Sequence, residues 1–147
     1  MIIVTGGWVA LTSNTLLQRI NQHQYLRDLR NKLLRLHACL VDTERNAYEQ
    51  VRGRVTSGEL LQLLIDSEQF AWLHRISLLV VRIDEMLQAD EPLLLEDVES
   101  LVTEVRTLLL PSEVGSGFAR KYYNALQSEP DVVLAHAEVT ELLASAK

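Results

Sequence analysis

One cysteine, Cys39, three prolines and six glycines are spread over 147 residues, and aromatic side chains make up only 5% of the chain. A single thiol excludes an internal disulfide and a cysteine-rich metal site. It leaves the redox compartment open, with a reducing cytoplasm as the expected location. The scarcity of proline and glycine leaves long stretches in which nothing interrupts a helix. No apolar run reaches the ~20 residues needed to span a bilayer as a helix. The apolar start, Met1 to Leu11, has no Lys or Arg ahead of it and no small-residue cleavage site, so neither a signal peptide nor membrane association is expected. Val4-Thr5-Gly6-Gly7 resembles the strand-to-glycine start of a nucleotide fold, but no further Gly-x-x-Gly follows and no βαβ unit fits what comes next.

What is present is leucine and charge. Hydrophobic residues make up 48% and charged residues 23% of the chain, a globular composition rather than a disordered one. Leu, Arg, Glu and Gln are good helix formers. The net charge of −6 hides an asymmetry, since the Lys and Arg residues crowd the first 58 positions and the Asp and Glu residues the remainder. The simplest reading is a basic early helix packed beside acidic later ones. A nucleic-acid partner is not expected, because phosphate contacts call for a larger basic excess.

Helix boundaries are legible. Thr15-x-x-Gln18 predicts a capping box, and no proline or glycine follows until Gly53, placed as a residue just beyond a helix end with Arg52 in the last turn. Leu26, Leu29, Leu33, Leu36 and Leu40 recur at spacings of three and four, a seam for packing on other helices. Leu16, Leu17 and Ile20 fall out of phase with it. Thr56-x-x-Glu59 predicts a second helix through Ile65. A third, from about Glu68 to Ala89, carries Trp72, Ile76, Val80 and Ile83 on an apolar arc of about 140° and reads as central. A fourth follows Pro92, with Leu94, Val98, Leu101, Val102 and Val105 inward. A fifth carries Phe118 and Tyr122, and Ser128-x-x-Asp131 with Pro130 starts a sixth.

Chemistry is harder to find. Helical di-iron sites need Glu-x-x-His, and the positions three before the four histidines hold Ile20, Leu34, Ala71 and Val133. No His-x-x-x-His occurs, so no metal and no cofactor is expected. His136 shares a helical face with Val132, Val139 and Leu143. It reads first as a hydrogen-bonded histidine at a packed edge and second as a ligand or base. His74 and His23 read as surface, and His37 as lying on the flank of the leucine seam. Asp84, at the edge of the third helix's apolar arc, calls for a cation from Arg27, Arg30 or Arg35. Gly117-Phe-Ala-Arg-Lys-Tyr-Tyr-Asn124 joins basic and aromatic residues. Phe118 and Tyr122 have ordinary core spacing, which leaves Arg120 and Tyr123 on other faces as candidates for binding.

These readings converge on an all-α, single-domain helical bundle of five to six helices. The first, third and fourth form its body over residues 15–147, preceded by a short strand or arm over residues 1–14. The function expected is a non-enzymatic protein-interaction or regulatory module that self-associates as a homodimer or takes a protein partner, with Trp8, Leu16, Leu17 and Ile20 at the interface. The alternative is a bundle that holds a small apolar ligand between helices. An enzyme using His136 with an acidic partner ranks below both.

Overall fold

The computed structural model describes the backbone of residues 5–115 and 117–145, and side chains from Asn21 onward. Six α-helices follow one another: α1 (Thr5–Arg52), α2 (Ser57–Asp66), α3 (His74–Gln88), α4 (Leu95–Leu108), α5 (Phe118–Ser128) and α6 (Pro130–Ser145), with one 3-10 turn at Ala71–Leu73 ahead of α3. The described residues contain no strand. Trp8, Leu16, Leu17 and Ile20 have side chains outside the described residues.

The 48 residues of α1 begin ten positions before the cap expected at Thr15, so residues 5–14 are helical backbone rather than strand or arm. With no proline in this stretch, the carbonyls of the preceding turn satisfy the N–H groups that a Thr15 cap would otherwise serve. The far end lies where the sequence puts it. Gly53 has φ +87°, a left-handed conformation that glycine alone adopts without strain, and its N–H closes the last turn on the Glu49 carbonyl at 2.9 Å. Ahead of α2, the Thr56 hydroxyl accepts from Glu59 N at 3.1 Å while Glu59 Oε1 accepts from Thr56 N at 2.9 Å, both halves of the expected capping box.

All five seam leucines of α1 are fully buried. They pack against α3 on one side and α6 on the other, so the body of the bundle is α1, α3 and α6. The sequence placed α4 there instead. The reason lies in side-chain size: α6 presents Val132, Ala135 and Val139, small residues that let two backbones approach. The inward residues of α4 are Val98, Leu101, Val102 and Val105, and α4 packs on α6 from outside. Charge follows the same plan. Lys32 and Arg35 both reach Glu138 on α6, at 3.4 and 3.2 Å, and Arg30 pairs with Asp84 on α3. The basic face of α1 is thus turned towards acidic partners on its two neighbours.

Three local details differ from expectation. The helix expected from Glu68 begins instead as a 3-10 turn, because Ser67 closes α2 through its N–H on the Leu63 carbonyl and the next bonds span three residues, Phe70 N to Ser67 O at 3.2 Å and Leu73 N to Phe70 O at 3.1 Å. Ser128 does not cap α6. It is the last residue of α5, and its hydroxyl donates to the Asn124 carbonyl at 3.1 Å. Leu94 precedes α4 with extended backbone and is exposed, so its side chain never reaches the seam.

Removing a side chain from the seam or from the facing surface of α3 leaves a cavity that the surrounding helices cannot close. Leu33→Ala and Ile83→Ala should each cost about 2–5 kcal/mol in urea unfolding. Leu34→Ala, one residue along but 40% exposed, should cost less than about 1 kcal/mol. Equal effects at Leu33 and Leu34 would contradict this division of α1 into faces.

Candidate functional site

The polar chemistry of the interior is concentrated along one line of side chains. Glu44 on α1 accepts from Trp72 Nε1 and from Gln69 Nε2, each at 3.0 Å. The Trp72 ring meets Phe118 edge-on, with centroids 5.2 Å apart. Phe118 lies 5.4 Å from Tyr122, and Tyr122 lies 5.4 Å from the His136 imidazole. Aromatic pairs at such distances prefer tilted and edge-on geometries. The line therefore fixes α5 between the 3-10 turn and α6. Gly117 makes its start feasible, capping α5 at φ +63°, a backbone conformation that side chains oppose.

At the far end of this line the Tyr122 hydroxyl and His136 Nδ1 are 2.6 Å apart. Tyr122 is fully buried, and burial drives its phenol far above the ordinary range of ionisation. The phenol keeps its proton, and because Nδ1 is the acceptor the fold brings to this buried O–H, which is costly to leave unsatisfied, we assign the phenol as donor and the imidazole proton to Nε2. Burial also lowers the His136 pKa from its ordinary 6.5, because the charged ring would lose hydration without gaining a counter-charge. The partner that meets His136 Nδ1 is the Tyr122 phenol rather than an acidic side chain. His136 is the hydrogen-bonded histidine at a packed edge that its helical face suggested.

One face of His136 opens on a groove of about 290 Å³ between the end of α4 and α6, lined by Arg106, Leu109, Leu110, Pro111, Thr140, Leu143 and Ala144. Arg106 Nη2 donates to the Leu143 carbonyl at 2.6 Å, a cation at the negative end of α6. Neither Arg106 nor Pro111 carried a functional signal in the sequence. An arginine in the last turn of one helix is ordinary until the end of another helix is brought against it.

The remaining candidates are dispersed. Asp84 meets Arg30, one of the three cations expected for it. Both are about one-third exposed, which makes the pair a modest contributor to stability. Phe118 and Tyr122 are core, whereas Arg120 is exposed and Tyr123 half-buried on other faces of α5, so the basic–aromatic cluster of the sequence does not converge on one surface. His74 is exposed and its Nε2 meets the Leu64 carbonyl. His37 Nε2 lies 3.1 Å from Ser77 Oγ, and His23 is half-buried rather than fully at the surface. Cys39 is half-buried against the core, and burial raises its thiol pKa, as for a small hydrophobe rather than a nucleophile. Among the described residues no group of three His, Cys, Asp or Glu is placed to hold a metal ion, and no helix is long and apolar enough to cross a membrane. No family model, no curated protein and no solved structure matches the chain.

Two consequences can be measured. Tyr122→Phe leaves His136 Nδ1 without its donor at a buried edge and should cost about 1–3 kcal/mol. The pKa of His37 is also lowered, first by burial and then by the neighbouring His74. Both rings are therefore held towards the neutral form in the fold, while the unfolded chain takes up protons below its ordinary 6.5. Stability is fully present above that value and is lost as pH falls from it through the folded pKa values. The urea midpoint should drop between about pH 7.5 and about pH 5.5, and His136→Gln should flatten the drop. A midpoint constant across that window would contradict the neutral assignment.

Proposed function

We propose that the chain is a non-enzymatic helical interaction module that pairs with a second copy of itself through the N-terminal part of α1. The observation that carries this reading is the mismatch in length between α1 and its neighbours. The contacts of Arg30 with Asp84 and of His37 with Ser77 set the register of α1 against an antiparallel α3, whose last residue, Gln88, then falls beside Leu26. Glu138, between Lys32 and Arg35, sets the register of α6, which ends at Ser145 in the same region. Leu26 is the first buried residue among those described on α1, yet the helix starts at Thr5.

From Thr5 to Ile20 the helix covers roughly 24 Å, and an isolated helix of that length is marginal in water. Its sequence carries Trp8, Leu16, Leu17 and Ile20, apolar residues that gain by leaving water. A two-fold pairing of first helices covers such a segment with an identical one and closes the assembly at two chains. Partnership with a different protein would use the same segment and is the other outcome of the test.

Light scattering behind a sizing column at tens of micromolar distinguishes the two. The chain should run at twice its 16.7 kDa, and the double variant Leu17→Glu/Ile20→Glu should run as a single chain that still unfolds cooperatively in urea, with a midpoint that no longer depends on protein concentration. A monomeric parent, or a variant as dimeric as the parent, would refute self-association through this segment.

A further inference from the structure

The groove beside His136 differs in charge from its surroundings. Four other grooves on the surface each include at least one Glu or Asp in their lining, as expected for a chain of net charge −6. Among the described residues this one contains a guanidinium and an imidazole with no carboxylate, over a floor of Leu109, Leu110, Pro111 and Leu143. A cation and a neutral N–H donor above an apolar floor, in an otherwise acidic protein, are complementary to an anion with an aliphatic body.

The two polar groups are spaced along the groove rather than gathered at one point. Arg106 is held at the end of α6 by its Nη2 bond to the Leu143 carbonyl. The rest of the guanidinium adds further N–H donors and a permanent positive charge at this end of the groove, which can hold a carboxylate. His136 lies seven residues earlier on the same helix, about 10 Å along its axis. Because Tyr122 donates to Nδ1, the ring offers Nε2–H, a donor that calls for an oxygen acceptor.

We propose that this groove binds a small aliphatic carboxylate bearing a second oxygen at its far end, with the carboxylate on Arg106, the chain over Leu109, Leu110 and Pro111, and the far hydroxyl or carbonyl accepting from His136 Nε2. The volume of about 290 Å³ lies at the lower edge of the range of small-molecule sites, roughly 300–1,000 Å³. The spacing of the two donors fits a chain of about eight carbons, close to two helical turns in length. This site is separate from the segment assigned to self-association and stands or falls independently of it.

Three probes of one length test the assignment on the full chain by titration calorimetry and nitrogen-15 NMR of the histidine rings. 8-Hydroxyoctanoate should bind with a Kd on the order of 1 mM and shift the Nε2 resonance of His136. Octanoate, which lacks the far oxygen, should bind at least about fivefold more weakly. 1,8-Octanediol, which lacks the charge, should bind about tenfold more weakly. Arg106→Gln should reduce 8-hydroxyoctanoate to the level of the diol. Leu110→Asp, at a position already 66% exposed and hence harmless to folding, should abolish binding by placing a carboxylate in the groove. No saturable binding of 8-hydroxyoctanoate, equal binding of the diol, or no effect of Leu110→Asp would each overturn the proposal.

Discussion

Leu26, Leu29, Leu33, Leu36 and Leu40 have no surface left in contact with water, because α3 covers them from one side and α6 from the other. Each contributes about 1.5–3 kcal/mol by leaving water, and the contribution exists only while both flanking helices are in place. The remaining elements depend on this shared seam. α4 rests on the outside of α6, α5 is fixed by the aromatic line that runs from Trp72 to His136, and α2 meets the body through partly buried leucines and buries no residue fully. A stable centre of three helices and a more loosely attached rim is the expected hierarchy.

The same arrangement explains where polar groups lie. Among the described residues no charged side chain is buried, and the ion pairs that join α1 to its neighbours lie along the edges of the seam. They set register more than stability, since pairs this exposed are worth little. Arg30 with Asp84 and Lys32 and Arg35 with Glu138 oppose a slip of either flanking helix along α1. Only at Tyr122 and His136 does a titratable pair approach the core, and there the proton is held by burial rather than by a counter-charge.

Much of the fold was legible in the sequence because it follows from local rules. The 3-4 spacing of the leucines, the reciprocal cap of Thr56 and Glu59 and the left-handed Gly53 all need only neighbouring residues to be interpreted. What the sequence hid was relational. Val132, Ala135 and Val139 are unremarkable as a pattern, yet their small size brings α6 rather than α4 against α1. Thr15 looked like a helix start because its own motif was complete, and nothing local says that a helix is already running through it. The site was less legible than the fold for the same reason. His136 could be singled out by its face, but its phenol partner lies on another helix, and Arg106 gains meaning only beside the end of α6.

The dependence of the whole molecule on one seam can be read directly by native-state hydrogen exchange along α1. Amides between Leu26 and Val41 should exchange only through global unfolding, with protection matching the stability from urea at the same protein concentration. Those of α2 should exchange through smaller openings. Protection in the Leu26–Val41 segment no greater than in α2 would show that the seam is not what holds the fold together.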